Sequence, residues 1–130
     1  MMKREREAED LEFEMSFYEG ILEEDPDFVP AMIPLADDYT RVGRYDDGLA
    51  LDERLAALRP DDPLVHYNLA CSYSLTNQPG KSLAALKRAT DLGYDDLEWL
   101  EGDDDLECIR PSEGYRAIIA ELRDRTGPTR

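Results

Sequence analysis

The chain has 130 residues, 31 acidic and 15 basic, for a formal charge of −16, and its hydrophobic content of 42% is enough for the core of one domain. Such acidity repels phosphate backbones and anionic lipid, so nucleic acid and membrane surfaces are excluded as partners. No stretch approaches the ~20 apolar residues of a spanning helix. The charged start Met1–Glu9 is unlike a secretory signal, and two cysteines, Cys71 and Cys108, are too few for a disulfide framework, which together point to the cytoplasm.

In chain order, residues 9–24 put Leu11, Met15, Tyr18 and Leu22 on one helix face, with Phe13 outside it. Met32, Leu35, Ala36 and Tyr39 make the next helical stripe, which ends at Gly43-Arg44. Pro34 falls inside that stripe, where it removes a donor and crowds the Pro30 carbonyl, so a kink or a delayed helix start is expected. Tyr45, Leu49, Leu51, Leu55 and Leu58 form a second amphipathic helix, stopped at Arg59-Pro60. Asp61-Asp62-Pro63 reads as a cap followed by proline in the first turn, opening a stripe of His66, Leu69, Ala70 and Tyr73. Asn77-Gln78-Pro79 then caps a helix carrying Leu83, Leu86, Ala89 and Leu92, which Gly93 ends. A short helix near 97–100 follows, then Asp103-Asp104-Asp105 as a cap region, a turn with Leu106 and Ile109, and a last helix from Pro111-Ser112 to about Arg123. That helix carries Tyr115, Ile118, Ile119 and Leu122, and residues 125–130 are expected to fray.

A period of 34 residues runs through these elements: Pro26 and Pro60, Met15, Leu49 and Leu83, Ile21, Leu55 and Ala89, Asp27, Asp61 and Asp95, and Tyr39 and Tyr73. A helix–turn–helix unit of that length, reading Met32, Leu35-Ala36, Tyr39, Gly48, Asp52, Pro60 and then His66, Leu69-Ala70, Tyr73, Ser82, Leu86, Tyr94, resembles the tetratricopeptide repeat. Asp52 stands where an aromatic is usual, and Tyr94 where the closing proline is. Ala36, Gly48, Ala70 and Ser82 are small where two helix backbones must approach. The resemblance implies a small bacterial-type protein, all-α, a short right-handed α-α superhelix of about seven helices. It divides the single domain 1–124 into a half-repeat 9–26, repeats 27–60 and 61–94, and a divergent capping unit 95–124.

The fold so implied carries a concave groove lined by the first helix of each pair. Its groove positions are Ile33, Asp37, Thr40 and Arg41 in one repeat, and Tyr67, Asn68, Cys71, Ser74 and Leu75 in the next. Either the groove is open and seats a peptide, or the terminal helices fold over it as ordinary core. The charge of −16 points to a basic protein or peptide partner, although part of it sits at helix caps. Chaperone-tail clamps of this family use Lys, Arg and Asn; only Asn68 matches, and Asp37 would repel a carboxylate. The uncovered outer face of the first helix allows a homodimer as the alternative.

No catalytic set assembles around His66, which reads as a packed core residue. No phosphate loop is present, so no enzyme and no cofactor are expected. Cys71 and Cys108 lack zinc-site spacing, and Asp103-Asp104-Asp105 lacks the calcium-loop pattern, so no metal is expected either. Trp99 reads as an anchor of the terminal core, with an exposed partner anchor as the other reading.

Overall fold

The computed structural model describes residues 2–126, with side chains from Arg6 onward, and is all-helical. Seven α-helices and one 3₁₀ turn occupy the described residues, with no strand among them. The chain divides into two compact units, Met1–Leu58 and Arg59–Arg130.

The first unit holds α1 (Met2–Glu24), α2 (Val29–Arg41) and α3 (Tyr45–Leu58). Helix α1 begins seven residues ahead of the expected start at Glu9. Arg6 and Glu7 are exposed along that extra length. The α2 stripe packs as its spacing dictates: Met32, Leu35, Ala36 and Tyr39 are all buried. Burial of a side chain such as Met32 contributes roughly 1.5–3 kcal/mol. Leu51 and Leu55 of α3 are buried too, whereas Tyr45 is exposed. Helix α2 starts at Val29 and continues through Pro34, so the delayed start does not occur. Pro34 lies in the second turn and deprives only the carbonyl of Pro30 of its partner, and Pro30 is exposed to water.

The second unit holds α4 (Pro63–Leu75), α5 (Pro79–Asp91), α6 (Leu97–Gly102), the 3₁₀ turn Asp104–Leu106 and α7 (Glu113–Thr126). Asp62 caps α4, its carboxylate accepting from the amides of Leu64 and Val65. Asn77 does not cap α5: it closes α4 in the left-handed region at φ 59°, and the N-cap of α5 is Gln78, without a side-chain bond. Arg125 and Thr126, expected in a frayed tail, are the last turn of α7; Arg125 Nη1 donates to the Thr90 carbonyl at 2.8 Å. Residues 127–130 lie outside the described part. The α7 core residues Tyr115, Ile118, Ile119 and Leu122 are buried as expected.

Each unit builds its helix pair in the same way. Three turns end with one pair of bonds: Gly43 to Thr40 and Arg44 to Tyr39, Asn77 to Ser74 and Gln78 to Tyr73, Gly93 to Thr90 and Tyr94 to Ala89. The left-handed residue needed at each is Gly43 (φ 85°), Asn77 (φ 59°) or Gly93 (φ 115°). The small residues sit at the helix crossings. A Cβ on Gly48 would stand 3.1 Å from Thr40 Oγ1 and 3.4 Å from the Ala36 carbonyl. Ser82, fully buried, donates to the Ala70 carbonyl at 2.7 Å. An arginine of the second helix then reaches back to the preceding loop. Arg54 donates to the Pro26 carbonyl and, at 3.1 Å, to Asp27; Arg88 donates to the Pro60 carbonyl at 3.4 Å and to Asp61 at 3.5 Å. These contacts repeat at 34 residues, and the recurrence of Arg54 and Arg88 was readable in the sequence.

Candidate functional site

In the second unit, the tail after α5 returns over α4. Tyr67, Cys71 and Ser74, expected to line an open groove, are buried; Tyr67 is only 2% exposed. The element that covers them starts at Asp103. Its Oδ2 accepts from the Tyr67 hydroxyl at 2.5 Å and from the Cys71 thiol at 3.7 Å. Its Oδ1 accepts from the amide of Asp105 at 3.0 Å, which caps the 3₁₀ turn, and its backbone carbonyl accepts from Arg110 at 2.7 Å. Tyr94, in the closing-proline position of the repeat, stacks on Tyr67 with ring centroids 4.3 Å apart and planes at 6°. Of the α4 groove positions only Asn68 is exposed, and Leu75 is half-buried. The fold-over reading therefore describes this unit, because Asp103 supplies a buried phenol and thiol with an acceptor that an open groove would lack.

Burial first, and neighbouring charge second, keep these donors protonated. Burial pushes the Tyr67 phenol far above its ordinary value, and the neighbouring Cys71 and Asp103 add to that. Burial also holds the Cys71 thiol well up, reinforced by Asp103 and Asp105. Ligand atoms of Cys71, Asp103 and Asp105 lie within 4.8 Å of one another. A metal would need the thiolate that this setting disfavours. Asp103 is spent on hydrogen bonds, so the trio reads as a latch between the tail and α4.

On its outer side the same tail forms an open cleft of about 440 Å³, lined by Asp96, Glu98, Trp99, Gly102, Asp103, Asp104 and Asp105. Trp99, expected as a core anchor, is 63% exposed; Leu100 beside it is fully buried and takes the core position. Asp96 caps α6 by accepting from the Trp99 amide at 3.1 Å. On a helix of six residues, one hundred degrees of rotation separates Trp99 from Leu100, so one faces the core and the other water. No histidine lines this cleft. His66 is half-buried, and its Nε2 meets the Pro60 carbonyl at 2.8 Å, which ties the loop before α4 rather than filling the core.

In the first unit, Ile33, Asp37 and Arg41 of α2 are exposed, and Thr40 is half-buried, donating to the Ala36 carbonyl at 3.2 Å. Beside them on α2 lies Asp38, 2% exposed, with one carboxyl oxygen unpartnered. Burial, then the Glu14 carboxyl beside it, holds Asp38 up at about 7. Tyr39 donates to Glu19 at 2.5 Å, and burial together with that carboxylate pushes its phenol to about 12.

The latch and the Asp38–Glu14 pair were not foreseen. Tyr67 and Asp103 are 36 positions apart, outside any periodic pattern. The Trp99 cleft had a local signal, an aromatic within a dense acidic segment.

No protein-family model matches the chain. It is 30% identical over 87 residues to a chloroplastic protein of Arabidopsis thaliana; the match covers 65% of this chain and 26% of that protein, so the chain spans about a quarter of its relative. Among solved structures it resembles MamA protein at TM-score 0.73 and 19% identity, covering 95% of this chain and 66% of that one. It also resembles MamA 41-end from Desulfovibrio magneticus RS-1 at TM-score 0.68 and 18% identity, covering 95% and 72%. The likeness shows the fold: this is a tetratricopeptide-like, all-helical chain.

Proposed function

We propose that the chain is a protein-interaction module, not an enzyme, and that it takes a basic peptide segment at the Trp99 cleft. The observation that carries this reading is the exposed indole of Trp99 in a cleft whose side chains are otherwise acidic. An arginine or lysine set over an indole gains about 0.5–2 kcal/mol, and surrounding carboxylates add modest exposed pairs of ~0.2–1 kcal/mol each. Glu98 and Asp104, both exposed, are the acids assigned to the incoming cation. The tetratricopeptide-like fold supports binding as the class of activity, and the net charge of −16 supports faster capture of a basic partner at low salt. Ile33, Asp37, Thr40 and Arg41 on α2, and Asn68 on α4, are assigned as further partner-facing positions of their own units.

Selection of displayed random peptides tests this reading. Wild type should enrich arginine- and lysine-bearing segments that a Trp99→Ala variant does not retain. Enrichment of acidic or purely apolar peptides, or equal retention by Trp99→Ala, would overturn it.

A further inference from the structure

Helix α1 exposes two phenylalanines one turn apart, Phe13 at 75% and Phe17 at 57%. The 34-residue register bears on the second of them. Phe17 corresponds to Leu51 of α3 and Ala85 of α5, both buried. In those helices the neighbouring positions meet the first helix of their own pair: Gly48 faces Ala36 and Thr40 of α2, and Ser82 bonds Ala70 of α4. The equivalent position of α1, Glu14, lies beside Asp38 of the helix that follows, whereas Phe17 itself is left exposed. Phe13 corresponds to the exposed Asp47 and Lys81, so the register accounts for Phe17, and Phe13 extends the apolar patch beyond it.

We propose that this face pairs with α1 of a second copy, antiparallel, in a two-fold dimer. The stripe through the phenylalanines reads Arg6, Asp10, Phe13, Phe17, Gly20 and Glu24, with alternating steps of four and three. Turned about a dyad between Phe13 and Phe17, it is self-complementary. Phe13 meets Phe17 of the second copy, Arg6 meets its Glu24, and Asp10 meets its Gly20. Gly20 leaves room for this, since a Cβ there would touch nothing within 4 Å. A parallel pair would set Arg6 on Arg6 and Glu24 on Glu24, which repel. A basic peptide has no equivalent fit, because the stripe itself offers one cation and two acids around an aromatic centre. The isologous geometry also matches the commonest symmetry of soluble oligomers. One helix pair lies below the ~1,200 Å² of standard interfaces, so the dimer is weak and forms between about 10 µM and 1 mM.

Sedimentation equilibrium of the full chain over that range tests the pairing. The mass should rise from the 14.8 kDa monomer towards twice that value. Phe13→Ser with Phe17→Ser should weaken association at least tenfold, with helicity by circular dichroism unchanged because both side chains are exposed. Arg6→Glu should weaken it several-fold, and adding Glu24→Arg to Arg6→Glu should restore it. A monomer at 1 mM, an unchanged dissociation constant after the double serine substitution, or no restoration by the charge swap would each overturn the proposal. None of these outcomes bears on the Trp99 cleft, which lies in the other unit.

Discussion

Replacing Asp103 by alanine should open the tail of the second unit more than any other surface-adjacent substitution. The carboxylate serves the buried Tyr67 hydroxyl, the Cys71 thiol and the amide of Asp105 at once. Stranding a buried hydroxyl costs about 1–3 kcal/mol, and losing an N-cap costs about 1 kcal/mol. Thiol bonds are weak, so the sum is about 3 kcal/mol, or a fall in Tm of roughly 10 °C for a chain of this size. Asp103→Asn keeps an acceptor in place and should lose about half as much. Tyr67→Phe removes one donor and should cost ~1–2 kcal/mol. Urea unfolding at constant slope measures each change, and the double variant Asp103→Ala/Tyr67→Phe should fall short of additivity by about 1 kcal/mol. A loss below ~1 kcal/mol for Asp103→Ala, together with full additivity in the double variant, would refute the latch; the additivity criterion follows the same principle for residues in contact.

Three further outcomes follow from particular groups. Asp38 is held up at about 7 against 3.8 when free, so the folded chain carries the extra proton and stability should fall as pH rises from about 4 to 7, then level off. Asp38→Asn should flatten that slope and stabilise the chain at pH 8 by a few kcal/mol at most, as read from denaturant midpoints at each pH. The half-buried Cys108 should react with iodoacetamide at pH 8 well before Cys71, whose thiol is buried and held well up; Asp103→Ala should expose Cys71 to the reagent, as followed by mass spectrometry. Gly43→Ala at φ 85° should cost about 1 kcal/mol, whereas Asn77→Gly at φ 59° should be neutral or slightly stabilising, as measured by thermal unfolding.

Periodicity carried the helices and their cores because a repeat encodes the same local contacts every 34 residues. The α2 stripe and the close approaches at Gly48 and Ser82 were legible for that reason, whereas the α7 stripe and the Asp62 cap were legible from helical spacing and cap chemistry alone. What escaped is what the period does not repeat. Tyr67 occupies a groove position by register, yet a single downstream carboxylate turns it into core. Pro34 looked disruptive by rule, but its lost bond falls on an exposed residue, Pro30. Trp99 and Leu100 are neighbours on a six-residue helix, too short for a moment to say which faces inward.

Trp99 is the sole tryptophan, so its emission reports on the cleft directly. Titration with short peptides of four arginines or lysines should shift that emission saturably, with affinity falling about tenfold in Glu98→Lys/Asp104→Lys and weakening from 50 to 300 mM salt. Glu113→Lys/Asp124→Lys, which changes the net charge equally at two residues that do not line the cleft, should leave affinity nearly unchanged. An emission that does not respond to cationic peptides, or equal weakening by both charge-reversed variants, would contradict the assignment of the cleft as the binding site.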